Sequence, residues 1–282
     1  MEIINKPGEM QALAGEWRRA GHTIVLVPTM GYFHAAHLSL MEYGRHAGDR
    51  LVVSLFVNPT QFGPKEDLDR YPRDLERDAA QAREVGVDVL YTPDARDMYP
   101  PGYQTYVTVE ELSRGLCGAS RPGHFRGVAT VVLKLFHQVQ PHLAVFGEKD
   151  YQQLAVIRRM VADLDVPVQV VGRPLVREAD GLALSSRNTY LTPPERQAAQ
   201  CLFKALTLAR DRVAAGERDG SRILAQVRDL IRTTPLVRLD YAELVDPDTL
   251  QPVAHLTGPA RLALAAFVGT TRLIDNLLLE VR

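Results

Sequence analysis

Residues Thr23–Leu40 read TIVLVPTMGYFHAAHLSL. Thr23–Pro28 is a continuous, largely β-branched apolar run, the pattern of a strand buried on both faces. A glycine and two histidines follow, and then the spacing turns helical. The same alternation recurs outward from this stretch. Leu51–Val57, Val87–Tyr91, Leu143–Phe146 and Val168–Val171 read as further buried strands. Glu9–Ala20, His37–Ala47, Leu75–Val85, Ala129–Gln140 and Tyr151–Leu164 read as helices between them. Strands alternating with helices predict an α/β domain with a doubly wound parallel sheet. Ligands of such sheets bind outside the carboxyl ends of the strands, so the loops after the strands carry the functional question.

The pattern changes over Gly172–Asn188, which is rich in Gly, Pro, Arg and Ser. Two long helices are predicted beyond it, Pro193–Ala215 and Asp219–Arg232, the first opened by Thr192 and two prolines. Three β-like runs follow: Leu239–Val245, Arg261–Val268 and Thr271–Leu279. Gly269 and Thr270 are placed to make a tight hairpin between the last two. The reading is a larger domain over 1–175 and a smaller α+β domain over 176–282.

Composition narrows the function classes. The 282 residues are 46% hydrophobic and 24% charged, with 33 basic and 34 acidic residues and a net charge of −1. That balance gives no bulk attraction to nucleic acid or to an anionic membrane. Two cysteines, Cys117 and Cys201, make no disulfide framework and have no zinc-type spacing. No stretch approaches the roughly 18 apolar residues of a membrane span. The N-terminal residues lack an apolar signal core. The expectation is a cytoplasmic protein with buried free thiols.

Five segments carry candidate chemistry. In Pro28–Leu40, His34 and His37 stand three apart at a helix start, where free N–H groups and the helix dipole favour an anion such as a triphosphate. A metal pair and two functionless polar histidines are the alternatives. In FVNPTQFGPKEDLDRYPRDLERD (Phe56–Asp78), Gln61 closely follows a buried strand and is placed to hold a carboxylate or hydroxyl of a small substrate. A solvated loop glutamine is the alternative, and the charges from Lys65 to Asp78 read as a solvated face. In FGEKDYQQL (Phe146–Leu154), Lys149 is one of only five lysines among the 33 basic residues, beside Gly147 and just before a helix. That suits phosphate contact, with Asp150 as helix cap and Gln153 in the first turn, against the plainer reading of an ordinary capped helix start. Ser185, Ser186 and Arg187 offer two hydroxyls and a guanidinium for a phosphate, against the plainer reading of a serine-rich linker. CGASRPGHFRGV (Cys117–Val128) reads as a mobile cover loop or an ordinary basic loop.

Taken in order and spacing, these segments closely resemble the pantothenate synthetase family of the nucleotidyltransferase superfamily. The resemblance spans nearly the whole chain. It implies a Rossmann-like ATP-binding domain, a smaller C-terminal domain that covers the active site, and a homodimer. It also implies condensation of pantoate with β-alanine, driven by cleavage of ATP to AMP and pyrophosphate. Met30, Gly31, Tyr32, Phe33, His34, Ala35, Ala36 and His37 would then form a first ATP-binding segment, with the histidines on the family's His-x-Gly-His motif. Gly147, Glu148, Lys149 and Asp150 would form a second, and Val176 would lie by the adenine. Leu184, Ser185, Ser186 and Arg187 match the counterpart of the superfamily's Lys-Met-Ser-Lys-Ser loop. His34, His37, Lys149, Ser186 and Arg187 are the implied catalytic residues. Gln61 and Gln153 match the glutamines that hold pantoate, Gln61 also approaching β-alanine. Mg²⁺ would be bound mainly through the ATP phosphates, with no protein metal ligand assigned. Two positions depart from the pattern. Ala36 replaces the motif glycine, and Arg77 interrupts an acidic cluster near the magnesium, leaving Asp78 as an outer-sphere partner. Another small-molecule nucleotidyltransferase would keep the histidines and the Ser-Ser-Arg loop but not need both glutamines. A non-catalytic ATP-binding or assembly protein is suggested by Ala36 alone.

Overall fold

The computed structural model of the chain describes residues 1–64 and 66–281. Strand β1 (Glu2–Ile4) and helix α1 (Pro7–Arg19) lead into β2 (Ile24–Thr29), α2 (Ala35–Ala47), β3 (Arg50–Leu55), α3 (Leu75–Val85) and β4 (Val89–Tyr91). Two four-residue helices, α4 (Ala95–Met98) and α5 (Cys117–Ser120), precede α6 (His124–Val139), β5 (Leu143–Gly147), α7 (Tyr151–Asp163) and β6 (Gln169–Arg173). The remainder is α8 (Pro193–Ala199), α9 (Cys201–Ala214), α10 (Gly220–Arg232), β7 (Val237–Val245), β8 (Ala260–Val268) and β9 (Thr271–Leu279). The chain divides into two compact units. One holds Met1–Ser113, Arg121–Glu148 and Gln153–Pro174; the other holds Arg114–Ser120, Lys149–Gln152 and Leu175–Arg282.

The larger unit is built on a six-stranded sheet of order β1-β4-β3-β2-β5-β6, every pairing parallel. Its central strands are apolar at successive positions because both faces are covered. On one face Val25, Val27, Leu51, Val53 and Val145 pack against Leu40 and Met41 of α2 and Ala79 and Ala82 of α3. On the other, α1 and α6 pack against each other and against β2. The chain runs outward from β2 to β3 and β4 on one side and to β5 and β6 on the other. The order therefore reverses between β2 and β5, and the loops after these neighbouring strands flank the crevice where such sheets take ligands. β1 escaped prediction because it is a three-residue edge strand with only Ile4 buried.

The smaller unit pairs β7, β8 and β9 antiparallel. Leu202, Leu206 and Val213 of α9 and Ile223, Val227 and Ile231 of α10 fill a core with Leu244, Leu262 and Leu264 of the sheet. Val268 pairs with Thr271 across the predicted two-residue Gly269-Thr270 turn. The single helix expected over Pro193–Ala215 is two helices. They break at Gln200, whose ψ of −17° tightens the turn.

Candidate active site

The loop after β2 is held by contacts within the protein. The Thr29 hydroxyl donates to the Ser54 carbonyl (2.7 Å) and accepts the Gly31 N–H (3.3 Å). Gly31 has φ +84° and Tyr32 φ +53°, so two successive residues sit in the left-handed region. For a tyrosine that conformation costs roughly 1–3 kcal/mol and persists only where surrounding contacts enforce it. Asp78 at the start of α3 enforces it. Its carboxylate accepts the backbone N–H groups of Tyr32 (2.6 Å) and Phe33 (2.7 Å). A Cβ on Gly31 would press on that carboxylate and on Leu55, each at 3.0 Å. Arg77 donates to the Phe33 carbonyl (3.0 Å), and its guanidinium lies 5.0 Å over the Tyr32 ring.

The solvated face expected from Lys65 to Asp78 holds for Asp69, Arg70, Arg73, Asp74 and Glu76, which are exposed, but not for its last residue. Lys65 lies outside the described residues, but Asp78 is only 1% exposed and Arg77 grips the loop. Burial pushes the Asp78 carboxyl above its ordinary range, against the pull of the Phe33 and Tyr32 N–H groups.

His34 is the N-cap of α2 and makes no capping hydrogen bond with its side chain. His37 is the third helical residue, and its N–H donates to the His34 carbonyl (2.8 Å). The two rings stack with centroids 4.0 Å apart and planes 25° from parallel. Phe33, fully buried, tilts against His37 at 5.8 Å. Among the described residues no cluster of three or more His, Cys, Asp or Glu is placed to hold a metal ion. The arrangement is two imidazoles at an uncapped helix start, the chemistry of an anion site.

Gln61 closes a 3-10 turn, Pro59–Gln61, and is braced from three directions. Asn58, 1% exposed, donates to the Gln61 side-chain oxygen (3.1 Å) and the Gly127 carbonyl (3.2 Å). The Asn58 side-chain oxygen accepts from the Thr60 hydroxyl (2.9 Å) and the Tyr99 hydroxyl (2.8 Å). Burial pushes the Tyr99 hydroxyl up to about 12, so it stays a donor at neutral pH. The Gln61 carbonyl takes His124 Nδ1 (2.9 Å) and Arg121 (3.3 Å), and Arg121 is paired with Glu66 (2.5 Å). A carbonyl only accepts, so His124 carries its proton on Nδ1. Burial pushes the Glu66 carboxyl up, but the hydrogen bond and charge of Arg121 outweigh it and hold the group below its ordinary range. Glycine at 127 is what lets α6 come so close, since a Cβ there would sit 2.4 Å from the Thr60 carbonyl oxygen.

The segment expected as a mobile cover or plain basic loop is partly helical. Cys117–Ser120 is helical, with Gln152 accepting the Cys117 N–H (2.9 Å) and donating to the Gly115 carbonyl (2.8 Å). Arg121 and His124 are the braces of Gln61. The contacts made by Asn58, Asp78, Arg121 and Gln152 were not anticipated from the sequence.

The loop after β5 starts at Gly147, which pairs with Arg173 of β6 and faces Leu40 of α2. Glu148, Lys149 and Asp150 form a 3-10 turn running directly into α7. Lys149 Nζ lies 3.7 Å from the Asp150 carboxylate. Gln153 is half-buried in the first turn of α7.

In the smaller unit the Leu184 N–H donates to the Val176 carbonyl (3.0 Å), and Arg177 bridges Ala183. This narrow hairpin leads to Ser185, whose hydroxyl accepts the Arg187 N–H (3.3 Å), and to the 3-10 turn Ser186–Tyr190. Asn188 ties that turn to Glu178 (2.8 Å) and the Ala183 carbonyl (3.0 Å). Glu178 is in turn held by Arg196 (2.6 Å). A braced turn thus replaces the alternative of a slack serine-rich linker.

Comparison with known proteins places these features in a family. The pantoate–β-alanine ligase family matches residues 2–278. The pantothenate synthetase of Syntrophobacter fumaroxidans is 60% identical over 280 residues, covering 99% of each chain. That of Heliobacterium modesticaldum is 57% identical over 281 residues, covering 100% of each. The crystal structure of pantothenate synthetase from Thermus thermophilus superposes with a TM-score of 0.93 at 48% identity, covering 98% of this chain and 99% of that one. A Francisella tularensis pantoate–β-alanine ligase, complexed with β-γ ATP and β-alanine, superposes with a TM-score of 0.81 at 32% identity, covering 99% of this chain and 97% of that one. By sequence along its length and by fold, the chain belongs to the pantoate–β-alanine ligase family, the pantothenate synthetases.

Proposed function

We propose that the chain joins pantoate to β-alanine through a pantoyl adenylate, with ATP cleaved to AMP and pyrophosphate. Family membership supplies the ligase reaction. The observation that carries the adenylate reading is the stacked His34–His37 pair at the uncapped start of α2, on the loop that leaves β2 beside the switch point. The Francisella relative's complex supports ATP and β-alanine as ligands of this chain too.

The first step brings a carboxylate to a triphosphate. A pantoate carboxylate oxygen forms a bond to the α-phosphorus, and the bond to the β-phosphate oxygen breaks. Pyrophosphate leaves with that electron pair. In the second step the amine of β-alanine attacks the acyl carbon, AMP departs and the nitrogen gives up a proton. Meeting of two anions calls for positioning and neutralisation rather than covalent help. Met30 to His37 and Gly147 to Asp150 hold the ATP phosphates in this reading, with His34, His37 and Lys149 opposing their charge. Ser185, Ser186 and Arg187 donate to the same phosphates, and Val176 and Leu184 lie by the adenine. Gln61 and Gln153 orient pantoate with uncharged hydrogen bonds, and Gln61 also meets β-alanine. Mg²⁺, bound mainly through the ATP phosphates, would supply further positive charge against them, with no side chain of this chain assigned as its direct ligand. Both Asp78 oxygens are taken by backbone N–H groups, which fits an outer-sphere rather than a direct role.

The same reading makes the protein a cytoplasmic homodimer. For the dimer the support is the family resemblance. For the compartment it is Cys117 and Cys201, both buried and free. Among the described residues no helix is long and apolar enough to cross a membrane.

Omitting substrates one at a time tests the function. ATP, Mg²⁺ and pantoate together are expected to release pyrophosphate, and AMP release is expected to require β-alanine. Pyrophosphate release with an unrelated small molecule but none with pantoate would favour a different nucleotidyltransferase.

Two site predictions belong to this reading. Gln153→Ala is expected to weaken pantoate binding by roughly 1–3 kcal/mol, the worth of an uncharged hydrogen bond or two, with ATP affinity nearly unchanged. Isothermal titration with each ligand separately checks it, and equal weakening of ATP would mean that the residue acts on the fold. Ala36, the second residue of α2, stands where the family has glycine. Ala36→Gly is expected to cost at most roughly 0.5–1 kcal/mol of helix stability and to leave ATP affinity equal or improved. Thermal melts paired with ATP titration decide it. Clear loss of affinity would make the methyl a nucleotide contact.

A further inference from the structure

Two adjacent residues of the last strand, Asp275 and Asn276, lie outside the segments assigned to ATP and pantoate. Both are buried, at 3% and 6% exposure, in a strand that is otherwise mostly apolar. The Asp275 carboxylate takes two hydrogen bonds from the Arg177 guanidinium, at 2.6 and 2.9 Å. Arg177 also donates to the Gly181 carbonyl (3.0 Å) and lies 4.2 Å over the Phe203 ring. It thereby fixes the narrow hairpin that ends in Ser185, Ser186 and Arg187. Asn276 donates to the Lys149 carbonyl (3.0 Å) and accepts from Arg261 (2.5 Å), whose guanidinium stacks at 3.5 Å on Tyr151. The Asn276 N–H closes the set on Asp275 (2.8 Å).

Stability alone is a poor account of this cluster. Burial pushes the Asp275 carboxyl above its ordinary range, with the hydrogen bond and charge of Arg177 pulling only partly against it. A buried ion pair of this kind is often matched or bettered by apolar residues of the same volume, and its best-attested use is to fix register. Here the things registered are specific. One strand position holds the backbone of Lys149, and its neighbour holds the hairpin of the Ser185–Arg187 turn. The partners are 127 and 98 residues away in sequence.

We propose that Asp275 and Asn276 are positioning residues, which fix Lys149 and the Ser185–Arg187 turn to one rigid strand so that their charges meet the ATP phosphates at a set spacing. This rests on the adenylate reading of Lys149. Asn276 acts through the Lys149 backbone, and Asp275 acts through Arg177.

A double-mutant cycle on the full chain tests the link, read as single-turnover pyrophosphate release at saturating ATP and pantoate. Asn276→Ala is expected to slow adenylation about tenfold in the wild-type background. In the Lys149→Ala background the same change is expected to slow it less than about twofold, because the group it positions is gone. Asn276→Asp keeps the acceptor for Arg261 but sets a carboxylate oxygen against the Lys149 carbonyl, so it is expected to slow adenylation at least as much as Asn276→Ala, and a thermal melt of each variant shows that the loss is read on folded protein. Equal fold-losses in both backgrounds would overturn the proposal and make Asn276 a stabilising residue only. Asp275→Asn against Arg187→Ala is the matching cycle, with the same pair of outcomes. Absence of pyrophosphate release from the wild-type chain would instead sink the adenylate reading itself.

Discussion

Lys149→Ala is expected to slow pantoyl adenylate formation by on the order of 10²-fold or more, the usual loss when a preorganised electrostatic donor is removed. The charge of Lys149 matters more in the transition state than in the ground state, because negative charge moves along the phosphates as pyrophosphate departs. The effect therefore belongs in the rate at saturating ATP rather than in ATP affinity. The structure gives the side chain a defined seat. The 3-10 turn Glu148–Asp150 runs into α7, and the ammonium lies 3.7 Å from the Asp150 carboxylate. Single-turnover measurement of adenylate formation checks the expectation. An unchanged rate would reduce Lys149 to an ordinary residue at a helix start.

Asp78→Ala is expected to destabilise the protein by roughly 2–4 kcal/mol, since it leaves two N–H groups, those of Tyr32 and Phe33, without their acceptor. It also frees Tyr32 from the left-handed conformation that the carboxylate enforces. The loop that presents His34 and His37 then loses its fixed shape, so adenylation is expected to fall with stability. Asp78→Asn keeps one acceptor oxygen and is expected to lose less on both counts. Urea unfolding of the two variants, with single-turnover rates on the folded protein, decides the matter. Wild-type stability in Asp78→Ala would mean that Tyr32 and Phe33 find another acceptor at no cost.

What was legible in the sequence followed from local chemistry. The runs that became β2, β3 and β5 stand out because a strand covered on both faces is apolar at every position. The histidine pair stands out because three-residue spacing at a helix start brings two rings together, and they do stack. What was hidden depends on partners far along the chain. Asp78 lies in a charged run and looks solvated, yet its acceptors serve N–H groups 45 and 46 residues earlier. Arg121 and His124 look like a basic loop, yet they hold a carbonyl 60 and 63 residues upstream. Asp275 and Asn276 look like polar interruptions in an edge strand. No local period marks a residue whose task is to hold another backbone still. The break at Gln200 was invisible for the opposite reason: its neighbours on both sides are good helix formers and the kink is a change in one ψ angle.

Oxygen transfer tests the central claim most directly. Pantoate labelled with ¹⁸O in both carboxylate oxygens is turned over with ATP, Mg²⁺ and β-alanine, and the products are weighed by mass spectrometry. If the carboxylate attacks the α-phosphorus, AMP leaves with one labelled oxygen and pantothenate keeps the other in its new amide carbonyl. AMP free of label, or label appearing in pyrophosphate or orthophosphate, would contradict the pantoyl adenylate, and with it the roles of His34, His37, Lys149 and Arg187 in opposing the phosphate charge.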